Sequence, residues 1–171
     1  MRIGFGYDVH RLVEERPLIL GGVAVDHPRG LAGHSDADVV LHAVADAVFG
    51  ALALGDIGQW FPPGDPRTKD LSSRHIVARA VAEMRRNGYR LGNVDVTVVA
   101  EAPKLSPYVP EMRRRLAALF EADEGRIGIK ATTAERMGAI GREEGIAAYA
   151  VVLLVPDDPA RAYALEGGRA D

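Results

Sequence analysis

Two imidazoles and one carboxylate are the residues with the most chemistry to offer. Arg2-Ile3-Gly4-Phe5-Gly6-Tyr7-Asp8-Val9-His10 alternates with period two, so Asp8 and His10 project from one face of a strand, roughly 7 Å apart. His42 lies on a helical pattern further along the chain. Together the three are enough for a zinc site with three protein ligands and one position left open. The plainer alternative for each histidine is a solvated or capped side chain. Asp46, one turn beyond His42, suits a supporting role that orients an imidazole, or is an ordinary exposed helix carboxylate. The chain has no Cys, so any metal must be held by His and carboxylates, and no disulfide framework or Cys nucleophile is available.

Two further runs carry polar groups at element ends. Gly33-His34-Ser35-Asp36-Ala37-Asp38 puts a hydroxyl and two carboxylates at a helix start, where free N–H groups attract anions, unless the run simply caps the helix. Lys130-Ala131-Thr132-Thr133-Ala134-Glu135 closes a strand with a cation, two hydroxyls and a carboxylate, a mixture suited to a diphosphate and its divalent cation. A polar strand end is also common without a ligand. No Walker or dinucleotide glycine motif occurs.

These side chains need elements to carry them. Leu18-Ile19-Leu20 and Val23-Ala24-Val25 flank Gly21-Gly22, the spacing of a two-residue hairpin. Gly30 to Ser35 is expected to be a loop. Apolar positions at Val40, Leu41, Val44, Val48 and Phe49 predict a helix near 38–53 capped by Ser35 or Asp36, with Asp38, His42 and Asp46 on its polar stripe. Residues 55–70 are rich in Gly, Pro and Asp and predict a functional loop. Further helices are expected near 72–87, capped by Ser72 or Ser73, and near 107–121, opened by Ser106-Pro107. Strands are expected at 93–101, 126–132 and 146–155, the last buried on both faces.

The length of 171 residues fits one domain, expected over 1–156, with a loosely held tail over 157–171. Hydrophobic residues make up 47% and charged residues 26%, a globular composition, and the net charge of −3 argues against nucleic acid or an anionic membrane as partner. No apolar run approaches the roughly 20 residues that span a bilayer, so a cytoplasmic location is expected.

Read together, the motifs resemble those of the 2-C-methyl-D-erythritol 2,4-cyclodiphosphate synthases of the non-mevalonate isoprenoid pathway. The likeness runs from Met1 to about Val155 and is carried by Gly6-Tyr7-Asp8-Val9-His10-Arg11, Gly33-His34-Ser35-Asp36-Ala37-Asp38, Leu54-Gly55-Asp56-Ile57-Gly58, Gly92-Asn93-Val94-Asp95-Val96, Ala102-Pro103-Lys104, Lys130-Ala131-Thr132-Thr133 and Gly141-Arg142-Glu143-Glu144-Gly145. It implies zinc on Asp8, His10 and His42, with His34 and Thr133 positioning phosphates. Glu135 would help hold a magnesium or manganese ion between two phosphates. The ribose would meet Asp56, Ile57 and Gly58, and the cytidine would sit among Ala100, Pro103, Lys104, Leu105, Ser106, Ala131, Thr132 and Thr133. The erythritol phosphate would lie by Ser35, Phe61, Pro62 and Asp65, with Ala139 and Arg142 completing the substrate contacts. Two positions depart from the family: Pro63 stands where Asp is frequent, and Ala139 where Phe is frequent.

The resemblance also implies a reaction, in which the 2-phosphate of a cytidylated substrate attacks the β-phosphorus and expels CMP. It implies a homotrimer with sites between subunits and an apolar central channel near Tyr7, with Arg142 at its end and room for a prenyl diphosphate. A zinc phosphohydrolase and a non-catalytic metal or prenyl-phosphate binder are the alternatives. For fold, the expectation is one α/β domain of two layers, a mixed sheet with helices on one face.

Overall fold

The computed structural model describes residues 1–62, 64 and 71–158. β1 (Arg2–Glu14), β4 (Arg29–Leu31), β5 (Tyr89–Val99), β6 (Ile127–Thr132) and β7 (Gly145–Pro156) form a mixed sheet in the order β4-β1-β7-β5-β6, and β2 (Leu18–Leu20) and β3 (Val23–Val25) form a separate hairpin. Among the described residues only the β5–β6 pair is parallel. Among the described residues five α-helices accompany these strands: α1 (Val39–Ala51), α2 (Ile57–Trp60), α3 (Ser73–Arg86), α4 (Val109–Phe120) and α5 (Gly138–Gly141). α1 lies across β1 and β7, α3 packs on α1 and β5, and α4 covers β6. The expected two-layer α/β arrangement, with the mixed sheet under helices on one face, is the one found.

The contact between β1 and α1 is unusually close. A Cβ built on Gly4 would fall 1.8 Å from Ala47 O, and one on Gly6 would fall 2.0 Å from Ala43 O. Glycine is therefore required at both places, because the helix backbone occupies the space a side chain would take. The alternating face of β1 that packs inward is thus the Gly4, Gly6, Asp8 and His10 face. Its apolar face points out: Ile3, Phe5, Tyr7 and Val9 are 73%, 62%, 46% and 45% exposed.

The same is true of β7, which corrects the expectation that it is buried on both faces. Val152 and Leu154 are buried, but Tyr149 and Val151 stand exposed beside Tyr7 and Phe5, their register partners. Tyr7 and Tyr149 touch with ring centroids 4.9 Å apart. The result is an apolar patch across the adjacent strands β1 and β7.

Several boundaries differ from expectation for local physical reasons. The stretch expected as a loop from Gly30 begins inside β4, which pairs with Leu12, Val13 and Glu14 and is too short for periodicity to mark. Asp38, rather than Ser35 or Asp36, caps α1, and it is fully buried. Its Oδ1 accepts the N–H groups of Gly21, Val40 and Leu41 at 2.9, 3.1 and 3.1 Å, and its Oδ2 accepts that of Gly22 at 2.6 Å. One carboxylate thus joins the hairpin turn, whose glycines have φ of 57° and 75°, to the helix start. Burial raises the Asp38 carboxyl above the ordinary carboxylate range, while these N–H donors pull it back. Two first-turn N–H groups of α1, those of Val40 and Leu41, are taken this way, so the run caps the helix. α1 also lacks a polar stripe, since Asp38 and His42 are buried. α4 opens at Tyr108 with Pro110 in its first turn, two to three residues later than the Ser106-Pro107 signal.

Candidate metal centre and nucleotide cleft

His42 sits on α1, one turn after Asp38, and meets β1 where Asp8 and His10 face the helix. His42 Nδ1 and His10 Nε2 lie 2.9 and 3.1 Å from the same oxygen, Asp8 Oδ2. Among the described residues these three form the one cluster whose ligand atoms converge, all within 4.8 Å of one another. His10 Nδ1 donates to Ala32 O at 2.6 Å, which leaves the lone pair of Nε2 facing Asp8. Nitrogen and oxygen lone pairs aimed at one point repel unless a cation or a proton lies between them. Two imidazoles, one carboxylate and an open side match what a zinc-type ion takes, so the donor set fits a metal. Burial pushes His10 down but the Asp8 carboxylate lifts it further, and the net shift is upward. Burial would raise Asp8, yet the two imidazoles hold it well below the usual carboxylate range.

Asp8, His10 and His42 line a cleft of about 240 Å³. His34, Ser35, Ile57, Gly58 and Phe61 line it beside these three side chains, and so do Leu71 and Ile76, which the sequence did not flag. The loop bearing His34 and Ser35 is held by Arg16, whose guanidinium donates to Gly33 O at 2.7 Å and Ser35 O at 2.6 Å. Arg16 was not foreseen, because a cation in a turn gives no pattern. Asp56 caps α2 by accepting from Gln59 N at 3.0 Å. α2 is further anchored by Trp60, which stacks on Phe49 at 5.1 Å and lies under Arg79.

Asp46 differs from its expected place beside an imidazole. Its Oδ1 accepts the Ile57 N–H at 2.7 Å, so it ties α2 to α1, and the His42 ring nitrogens find Asp8 and Ser73 instead. Pro62 is exposed and lines neither cleft. Pro63 and Asp65 lie outside the described residues, as does the chain from 159 onward.

A second, larger cleft of about 530 Å³ opens where the parallel strands β5 and β6 end side by side and α4 begins. Ala100, Pro103, Lys104, Leu105, Ser106, Ala131, Thr132 and Thr133 all line it. Glu101, Val109, Pro110, Ile129 and Lys130 complete the wall. Lys130 is less available to a diphosphate than its position suggests, since its Nζ pairs with Asp95 at 2.5 Å. Thr133 Oγ1 donates to Glu135 Oε1 at 3.0 Å on an exposed loop, where Glu101 Oε2 accepts the N–H groups of Ala134 and Arg136. Ala139 and Arg142 are exposed and line neither cleft, and Arg142 pairs with Glu144 at 2.6 Å. Among the described residues the two clefts share no lining residue.

A two-layer α/β domain with an Asp-His-His cluster under its first helix, and a separate cleft at the ends of two parallel strands, defines a narrow class. The chain belongs to the YgbB family, whose sequence model matches residues 1–155. The Thermosynechococcus vestitus protein named 2-C-methyl-D-erythritol 2,4-cyclodiphosphate synthase is 58% identical over 154 residues, 90% of this chain and 96% of its own length. Its namesake from Geobacter metallireducens is 61% identical over 154 residues, 90% of this chain and 98% of its own. Among solved structures, a CDP complex of Plasmodium falciparum IspF superposes with a TM-score of 0.81 at 34% identity, covering 92% of this chain and 97% of that one. No helix among the described residues is long and apolar enough to cross a membrane.

Proposed function

We infer that the chain is a metal-dependent 2-C-methyl-D-erythritol 2,4-cyclodiphosphate synthase, and the observation that carries this is the converging Asp8, His10 and His42 cluster in a chain so close to proteins of that name. An oxygen of the substrate's 2-phosphate bonds to the β-phosphorus, the bond from that phosphorus to the CMP oxygen breaks, and CMP leaves as the ring closes. The nucleophile is already an anion at neutral pH, so no general base or activated Ser is needed. The protein's task is to hold two mutually repelling phosphates in line. A divalent cation, zinc on Asp8, His10 and His42, with magnesium or manganese near Glu135, supplies charge neutralisation when bound. His34 and Ser35, on the loop that Arg16 braces, present donors to the substrate's phosphates. Thr133, steadied by Glu135, offers a hydroxyl to the diphosphate. Asp56, Ile57 and Gly58 take the ribose, and Phe61, Pro62 and Asp65 the erythritol end. The larger cleft takes cytidine, with the ammonium of exposed Lys104 at its rim.

The test is incubation of the purified protein with the cytidylated substrate, followed by phosphorus NMR. CMP and a cyclic diphosphate are expected in equal amounts. Release of monoester or inorganic phosphate would replace this reading with a phosphohydrolase, and no turnover would leave a binding protein. Lys104→Ala should weaken CDP about 10-fold in calorimetric titration, from the roughly 1.5 kcal/mol that a hydrogen bond to a charged group contributes. Zinc content should not change, and an unaltered CDP constant would make Lys104 a solvated loop residue.

The assembly we propose is a homotrimer. An exposed apolar patch across β1 and β7 invites burial against copies of itself, and the separate clefts suit a site shared by two subunits. In this arrangement Tyr7 and Tyr149 face the threefold axis, and a prenyl diphosphate is the ligand an apolar channel with Arg142 at its end would accept. Coexpression of His42→Ala with Glu135→Ala chains should give a random population in which roughly one site in four joins an intact metal half to an intact nucleotide half, about one site in three within each mixed trimer. Each variant alone has none. Doubly tagged mixed trimers no more active than the single variants would place both residues in one subunit's site.

A further inference from the structure

Ser73 is the first residue of α3 and is fully buried, yet its hydroxyl does not cap that helix. Its Oγ lies 2.8 Å from His42 Nε2 and donates to Asp36 Oδ1. Asp36 Oδ2 also accepts the Ser73 backbone N–H at 3.1 Å. A serine hydroxyl has one proton to give, and a carboxylate can only accept it. With that proton committed to Asp36, Ser73 Oγ turns a lone pair toward His42 and accepts the Nε2–H. An imidazole protonated on Nε2 carries its lone pair on Nδ1, the nitrogen that lies 2.9 Å from Asp8 Oδ2.

We propose that Asp36 and Ser73 form a two-residue relay that sets the tautomer and ring orientation of buried His42, and so are positioning residues for metal capture. The inference rests on reading Asp8, His10 and His42 as the metal site. It does the same for His42 that the Ala32 carbonyl does for His10, and both rings then offer a lone pair to one point. Ser35 Oγ is a weaker neighbour of the same nitrogen at 3.4 Å, and it is already an acceptor for Ala37 N–H. The relay also links α3 to the loop that carries His34, since Asp36 lies on that loop.

The experiment is zinc titration of metal-free protein against a chromophoric chelator, beside nitrogen NMR of the histidines in the metal-free state. Ser73→Ala keeps the backbone bond to Asp36 and loses only the hydroxyl. It should weaken zinc roughly 10- to 100-fold, the usual effect of losing a group that orients a ligand. Asp36→Ala should do likewise, whereas Asp36→Asn retains an acceptor for the hydroxyl and should recover most of the affinity. Calorimetric CDP binding should be unchanged in all three, because no relay residue lines the larger cleft. The wild-type spectrum should show His42 protonated on Nε2, and Ser73→Ala should show a mixture of tautomers. Zinc affinity in Ser73→Ala within twofold of wild type, with His42 still wholly Nε2-protonated, would overturn the relay. A wild-type protein that binds no zinc would overturn the metal reading instead, and the tautomer alone would then decide the relay.

Discussion

His42→Ala should remove stoichiometric zinc and nearly all turnover while the chain stays folded. Two remaining ligands, Asp8 and His10, cannot complete a three-ligand site. Loss of a group that merely supports a ligand costs roughly 10- to 100-fold, so removing the ligand itself should exceed that range. The fold should survive because Ala is the best helix former and His42 sits within α1, flanked by Leu41 and Ala43 in a helix that is buried nearly all round. Asp8 gains freedom from one of its two imidazole neighbours, and Ser73 loses its nitrogen partner, but both keep other contacts. Metal analysis of the purified variant is the check. Zinc at one equivalent per chain would remove His42 from the ligand set.

Gly6→Ala should be more damaging to the fold than any single change on the exposed face of the sheet. The added methyl would lie 2.0 Å from Ala43 O and 2.8 Å from Ala47 N. Both are backbone atoms of α1, so no rotamer change relieves the clash and strand and helix must part. Overpacking typically costs about 1–3 kcal/mol, and the backbone location puts this case at roughly 3 kcal/mol or beyond. Separation of β1 from α1 also separates Asp8, two residues along the same strand face, from His42, the neighbour of Ala43. Zinc affinity should therefore fall together with stability. Urea unfolding at constant slope measures the first, and a loss below about 0.5 kcal/mol would mean that the helix is not held where Gly6 requires it.

Much of the fold was legible because it rests on local periodicity. The 3.6-residue repeats of α1 and α3, the alternation of β1 and β5, and Gly21-Gly22 between two short apolar triplets each need only neighbours in sequence to be recognised. Boundaries and caps were less legible. Ser35, Asp36 and Asp38 are all good capping residues, and the choice falls to Asp38 because the hairpin glycines bring two further N–H groups to its carboxylate. Alternation likewise put Ile3, Phe5, Tyr7 and Val9 on one face but could not say which face is inside. The helix backbone seats itself against Gly4 and Gly6, and the apolar face is left outward.

For the site, sequence pattern alone places Asp8 and His10 on one strand face, since a period of two is a property of any strand. That His42 joins them depends on where α1 crosses β1, a contact 34 residues distant that no spacing encodes. The residues that hold His42 were hidden for a sharper reason. A serine at a helix start looks like a cap in any sequence, and Ser73 became a partner of His42 because tertiary packing brought the start of α3 against α1 and gave its hydroxyl two better partners than its own helix, the Asp36 carboxylate and an imidazole nitrogen.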